Sequence, residues 1–298
     1  MNLNEAEMAY QPKIRRNKLV SIEALLRPKN CLDVENFVKN YKSPVHLDSK
    51  VLELVYSDII DTKINYPVSI NASYFSLISN EFINKVIALF KGLNITIELT
   101  EHFDIKNIEK LKMNIEILRG NKINVSLDDF GKDFSRAKLL SEIKFNEVKI
   151  DKSIIDYIDK DYHSYKHLVF LSEKIKTFGT NNIVYEGIER LSQFQLINLF
   201  DNNAILQGYF YSKPISMKEI INHNYEIDHD DLIPIKSNVF DDIEVEIYKI
   251  ILSNGNSETE IINNKIKNMD IMGGIYNEDY NKTISNFKSI YYKDKMKA

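Results

Sequence analysis

Ile95-Thr96-Ile97-Glu98-Leu99-Thr100, a stretch of helical spacing at 107–119, and Ile123-Asn124-Val125-Ser126-Leu127-Asp128-Asp129-Phe130-Gly131 together carry the reading of the fold. Each apolar run has the β-branched content and length of a strand and ends on carboxylates; a helical run separates the two. The same unit repeats outward. Upstream, YPVSIN at 66–71 leads into a helical stretch at 74–91. Downstream come a loop and short helix at 135–143, a strand NEVKID at 146–151, a helix over 163–178, a strand NIVYEG at 182–187, a helix over 190–200, and AILQGY at 204–209. The chain opens on two strands, 7–14 and 17–25, around the polar turn Arg15-Arg16-Asn17, followed by helical apolar spacing at 47–61 (Leu47, Val51, Leu52, Leu54, Val55, Ile59). Repeated β-α units of this length call for a parallel sheet, and this many call for closure into a barrel. The expected class is α/β: a modified TIM-type (β/α)8 barrel, with one antiparallel strand arising from the opening hairpin, plus a small C-terminal α-helical appendage.

The rhythm stops near residue 225, which divides the chain into a barrel at 1–225 and an appendage at 226–298. The latter holds 14 Asp/Glu against 9 Lys, a net of −5. Its apolar spacing at 241–252 and the stretches at 257–268 and 279–292 read as helices, with Asn254-Gly255-Asn256 as a turn. That acidity opposes phosphate contacts, so a DNA-binding helix–turn–helix is not the favoured reading. Over all 298 residues the net charge is −4, which gives no electrostatic case for a DNA or RNA polymer as partner. A single cysteine, Cys31, forms no internal disulfide and fits a reducing compartment. The polar, acidic N-terminus does not read as a secretory signal, and no run approaches the ~18–20 apolar residues of a membrane helix. A cytoplasmic location and no membrane segment are expected.

The polar residues at the strand ends are what suggest chemistry. Glu23, Asn71, Glu98, Asp128, Asp129, Lys149, Glu186, Glu189 and Gln207 all follow strand-type stretches, and in a barrel every such end opens on one mouth. Oxygen donors without Cys or His favour a hard cation such as Mg²⁺ or Mn²⁺. Glu23 and Arg27 in Glu23-Ala24-Leu25-Leu26-Arg27 could bind a metal and clamp a phosphate, or pair with each other at the surface. Asn71 could donate a neutral ligand oxygen or cap the next helix. Glu98 faces a barrel interior, where a carboxylate is costly unless it pairs or binds a cation. Asp128 and Asp129 repel each other, and two divalent ions about 3.5–4 Å apart, one carboxylate bridging, would relieve this. An N-cap role explains one of these aspartates but not both. Lys149 could neutralise charge or steer an attacking water; Gln207 could orient that water.

The segments YQP at 10–12, EALLR at 23–27, SINAS at 69–73, ELTE at 98–101, DDFG at 128–131, VKIDKS at 148–153, EGIE at 186–189 and QGYFYSKPI at 207–215 together make the chain resemble the bacterial EAL-domain phosphodiesterases that hydrolyse cyclic di-GMP. The resemblance implies a modified β/α barrel, usually a homodimer, with two Mg²⁺ or Mn²⁺ ions. It implies Glu23, Asn71, Glu98 and Asp128 as ligands of one metal, Asp128 bridging to a second held by Asp129, and Glu186 at that second metal or its water. Lys149 and Gln207 would hold the nucleophilic water, with Glu186 counted among the catalytic residues. Glu101 would brace the loop after the aspartate pair. Arg27, Gln11, Leu25 and Asp151 would contact the substrate. The implied activity is metal-dependent hydrolysis of cyclic di-GMP to linear pGpG. After DDFG the family usually continues Thr-Gly-Tyr-Ser-Ser, whereas this chain has Lys132-Asp133-Phe134-Ser135-Arg136. That departure keeps a second reading open: a catalytically weak or inactive cyclic di-GMP receptor or protein-binding adaptor.

Overall fold

The computed structural model describes residues 5–100, 106–132, 136–223 and 225. The expectations for 226–298, for Glu101 and for the loop at 133–135 lie outside the described residues. Eight strands close into one barrel in sequence order: β1 (Glu7–Arg15), β2 (Lys18–Arg27), β3 (Val68–Ser73), β4 (Ile95–Thr100), β5 (Asn124–Phe130), β6 (Glu147–Ile150), β7 (Ile183–Tyr185) and β8 (Ile205–Leu206). β1 runs antiparallel to both neighbours, and all other pairs are parallel. The antiparallel strand expected from the opening hairpin is therefore β1.

The hairpin explains that direction. Arg16 and Asn17 both have positive φ, 51° and 60°, between the paired residues Arg15 and Lys18, the two-residue turn whose twist matches antiparallel strands. Arg15 and Arg16 then hold the turn against the base of the barrel, through Asn182, Asn202 and Asn203. β1 meets β8 at one residue pair, Ile14 with Leu206. A second seam, the backbone exchange between Tyr10 and Ile215 at 2.7 and 2.9 Å, reinforces the closure.

Between strands run α1 (Val34–Lys39), α2 (Pro44–Thr62), α3 (Tyr74–Leu77), α4 (Asn80–Phe90), α5 (Ile108–Gly120), α6 (Arg136–Glu142), α7 (Lys152–Ile155), α8 (Tyr162–Thr177), α9 (Leu191–Phe200) and α10 (Met217–Asn222). α2 starts at Pro44, a residue suited to a first helical turn. It buries Leu47, Val51, Leu52, Val55 and Ile59 against the sheet, each worth ~1.5–3 kcal/mol of transfer free energy. The single helix expected over 74–91 is two: Ser79, extended at φ −85° and ψ 120°, interrupts it and caps α4 through the amide of Phe82. α1, α7 and α10 carry no long apolar period and were not anticipated; Asp33, Asp151 and Ser216 cap them.

The outward residues of the strands (Ile22, Ala24; Val68, Ile70; Ile97, Leu99; Val125, Leu127; Val148, Ile150) are buried beneath the helices. The inward set of this barrel is polar: Lys13, Glu23, Ser69, Thr96, Glu98, Ser126, Asp128 and Lys149 are all buried. A barrel that keeps its interior charged must pair every charge it holds.

Candidate active site

Lys149, inward on β6 and 1% exposed, is the hub. Its ammonium lies 3.1 Å from Glu23 Oε2, 2.6 Å from Glu98 Oε2, 3.0 Å from Asp128 Oδ1 and 2.8 Å from Glu186 Oε1. Strands β2, β4, β5, β6 and the residue after β7 thus bring five charged groups to one point. Asn71 on β3 donates to Glu23 Oε1 at 2.8 Å. Gln207, just past β8, donates to Glu23 Oε2 at 2.6 Å and to Gln11 Oε1 at 3.2 Å. Each candidate is thereby placed: Glu23, Glu98 and Asp128 lie within their strands, while Glu186 and Gln207 lie beyond the ends of theirs.

Adjacent residues of a strand face opposite ways, yet Asp128 and Asp129 both serve the mouth. The structure resolves this with a bulge. Pairing with β6 shifts between Leu127 and Phe130, and Asp129 adopts left-handed φ of 52°. Asp128, Asp129 and Glu186 then offer oxygens within 4.8 Å of one another, a group able to hold a metal ion. A left-handed aspartate costs on the order of 1 kcal/mol, a strain of the kind that persists where the surroundings enforce it. Asn71 does not cap the following helix; Ser73 does. Asp48 of α2 secures this corner by accepting from the Ser73 amide at 2.8 Å and the Ser76 hydroxyl at 2.6 Å.

The electrostatics are unbalanced toward negative charge. Burial, with Glu98, Glu23 and Asp129 nearby, raises the Asp128 carboxyl to about 7 despite Lys149. Burial likewise lifts Glu186 well above the carboxylate range, with Asp128 and Glu23 adding to it against Lys149. Glu98 goes the other way: burial raises it, but Lys13 and Lys149 outweigh burial and hold it down at about 2. One lysine facing four carboxylates leaves protons where cations could replace them. The residues present fit a hard divalent cation on a second ground. Among the described residues, Asn71 Oδ1 and Gln207 Oε1 are buried without a hydrogen-bond partner, and amide oxygens are suitable ligands or water acceptors.

Above the cluster opens a cavity of about 410 Å³ lined by Leu25, Arg27, Lys39, Asn71, Asp128, Asp129, Lys132 and Asp151, among others. Of the four expected substrate contacts, Leu25, Arg27 and Asp151 line it, and Gln11 does not. Gln11 instead braces Gln207 and donates to the Ser212 carbonyl at 3.2 Å. Asp151 also caps α7 through the Ser153 amide at 2.8 Å. Glu189 stands apart: it pairs with Lys152 at 2.6 Å, and Arg190 is the N-cap of α9, its amide donating to Gln193 Oε1 at 3.0 Å. Two residues escaped the sequence reading, the buried Lys13 and the partly buried Glu147. Strand alternation from Gln11 was the available signal for Lys13, since it puts a lysine on the inward face.

The EAL domain family profile matches residues 1–214, and the chain belongs to this family. It is 31% identical to the oxygen sensor protein DosP of Escherichia coli over 161 residues, which cover 51% of this chain and 20% of that protein. It is 27% identical to the cyclic di-GMP phosphodiesterase PdeL of E. coli over 162 residues, covering 53% of this chain and 44% of PdeL. The chain thus spans less than half the length of these relatives. The fold is shared with an EAL domain protein of Listeria monocytogenes, at a TM-score of 0.65 and 23% identity over 74% of this chain and 92% of the other. It is shared too with Klebsiella pneumoniae BlrP1 in a manganese and cyclic di-GMP complex, at 0.62 and 20% over 71% and 56%. Among the described residues no helix is long and apolar enough to cross a membrane.

Proposed function

We propose that this chain hydrolyses cyclic di-GMP to linear pGpG with two Mg²⁺ or Mn²⁺ ions. The observation that carries the reading is the convergence of Glu23, Glu98, Asp128 and Glu186 on Lys149, with Asp128 and Asp129 also lining the cavity that Arg27 lines. Membership of the EAL family and the named activity of PdeL support it.

Glu23, Asn71, Glu98 and Asp128 would hold one ion; Asp128 and Asp129 would hold the other, with Glu186 at that ion or its water. When bound, such ions supply Lewis acidity toward a phosphoryl oxygen and lower the pKa of a water. The remaining work is done by the chain. Gln207 offers its buried Oε1 as acceptor to the attacking water, its amide being fixed by Glu23 and Gln11. Lys149 supplies fixed positive charge beside the phosphate, where dielectric screening is weak. Arg27, with a planar fork of donors at the rim, orients the phosphodiester, and Leu25 provides apolar wall. Asp151 holds the floor by fixing the start of α7.

The test is turnover of cyclic di-GMP by the purified protein with Mg²⁺ or Mn²⁺, with pGpG resolved by chromatography. Metal-dependent pGpG is expected, reduced at least 100-fold in Asp128→Asn. A metal-loaded, folded protein that makes no pGpG overturns the reading.

A further inference from the structure

One level below the mouth lies a lysine that the chemistry above does not use. Lys13 comes from β1, the antiparallel strand, and is fully buried. Its ammonium donates to Ser69 Oγ at 3.0 Å, Glu98 Oε1 at 2.6 Å and Glu147 Oε1 at 2.7 Å, one acceptor for each of its three hydrogens. Burial alone would strip its charge, but Glu147 and Glu98 outweigh burial and raise its pKa.

Glu98 is therefore divided between two lysines. Lys13 holds Oε1 from beneath and Lys149 meets Oε2 in the cluster of the mouth. A carboxylate anchored by one oxygen cannot rotate without breaking a buried charged hydrogen bond, which fixes its plane and leaves the other oxygen to the mouth. Glu147, 13% exposed at the start of β6, gives Lys13 a counter-charge of its own, so Lys13 is not neutralised at the expense of Glu98.

We propose that Lys13 is a positioning residue of the cation centre: it ties down Oε1 of Glu98 so that Glu98 presents Oε2 alone to a divalent ion, and Glu147 holds Lys13 in that place. The proposal rests on the reading of the mouth as a metal centre. A plug that merely fills the barrel floor would set stability and leave ion affinity alone; a positioning residue sets affinity.

The experiment is calorimetric titration of Mn²⁺ into substrate-free full-length protein, with thermal midpoints alongside. Lys13→Met/Glu147→Met removes both charges while keeping volume, the exchange that buried ion pairs tolerate best. Lys13→Gln/Glu147→Gln is its hydrogen-bonding counterpart, should the apolar floor not fold. Mn²⁺ affinity in the folded variant is expected to fall about 10–100-fold, the usual effect of losing an outer-shell partner. The KM for cyclic di-GMP at saturating Mn²⁺ should stay within about twofold, because Lys13 touches no substrate. Glu147→Gln alone, which keeps the bond between Lys13 and Glu98, should lose no more than about threefold. Wild-type Mn²⁺ affinity in either folded double variant overturns the proposal. If the wild-type protein binds no Mn²⁺, or Asp128→Asn leaves binding unchanged, the metal-centre reading itself fails and the proposal falls with it.

Discussion

A carboxyl that keeps its proton near neutrality is a proton store, and Asp128, raised to about 7, is one. In the unfolded chain it ionises at the usual value of about 3.9. Between these values the native state binds the proton and the unfolded state does not. The resulting stability is complete below the unfolded pKa and is lost as pH rises through about 7. Glu186, also raised, adds in the same direction. Glu98, lowered to about 2, has the opposite sign, but its contribution is lost only at acid pH, outside this window. Metal-free protein is therefore expected to lose roughly 5–10 °C in thermal midpoint between about pH 5 and about pH 8. Asp128→Asn should flatten much of that slope, as should saturating Mn²⁺. A metal-free midpoint that rises steadily over the range would show that the mouth carries no excess negative charge.

At the scale of elements, the mouth depends on backbone departures from regular strand. The bulge of β5 turns Asp129 toward Asp128. At the other side Gly208 lets the chain after β8 pass against the loop after β7, where a Cβ would overlap the backbone of Ile188. That contact is part of a short ladder: the Ile188 amide donates to the Gln207 carbonyl at 3.0 Å, and the Phe210 amide to the Ile188 carbonyl at 2.9 Å. Gly208→Ala must push these segments apart and carry Gln207 away from Glu23. Turnover is expected to fall at least tenfold, since small misplacements in a site are costly, with a lower thermal midpoint. Steady-state kinetics and calorimetry on the variant check this; unchanged kcat would mean that Gln207 is not needed where it stands. Gly187, at φ 71° beside Lys152, confers the same closeness on the turn that carries Glu186.

For the whole molecule, barrel closure is the cooperative step. Every ladder of the sheet, and the exchange between Tyr10 and Ile215 that reinforces the β1–β8 seam, falls between residues 7 and 215. A chain ending at residue 225 keeps all of them, including α10 packed beside β1 and α2. Such a truncation is expected to unfold in one cooperative transition and to retain Mn²⁺ binding. Ending instead at 212 removes Ile215 and should cost several degrees of midpoint or folding itself. Calorimetry of the two truncations decides it, and a loss of folding at 225 would show that residues 226–298 are needed for barrel stability.

Much of this was legible in the sequence because strands and helices have distinct apolar periods and a barrel forces their ends to one side. Glu23, Asn71, Glu98, Asp128, Lys149, Glu186 and Gln207 could be set at one mouth from that alone. One antiparallel strand was legible too, from the opening hairpin around Arg15-Arg16-Asn17, while the pairing of β2 with β3 and of β1 with β8 decides that it is β1. Other features had no local signal. The break at Ser79 divides a stretch with continuous helical spacing, and the left-handed Asp129 has no glycine to announce it. Alternation along β1 turns Lys13 inward, but nothing local pairs it with Glu147, 134 residues away. Only closure of the barrel buries Lys13 and sets it between Glu98 and Glu147. The sequence by itself determined the fold and which residue types reach the mouth, because both follow from short-range periodicity. The tertiary structure alone decided which oxygen faces which lysine, because that depends on distances set by strands far apart in the chain.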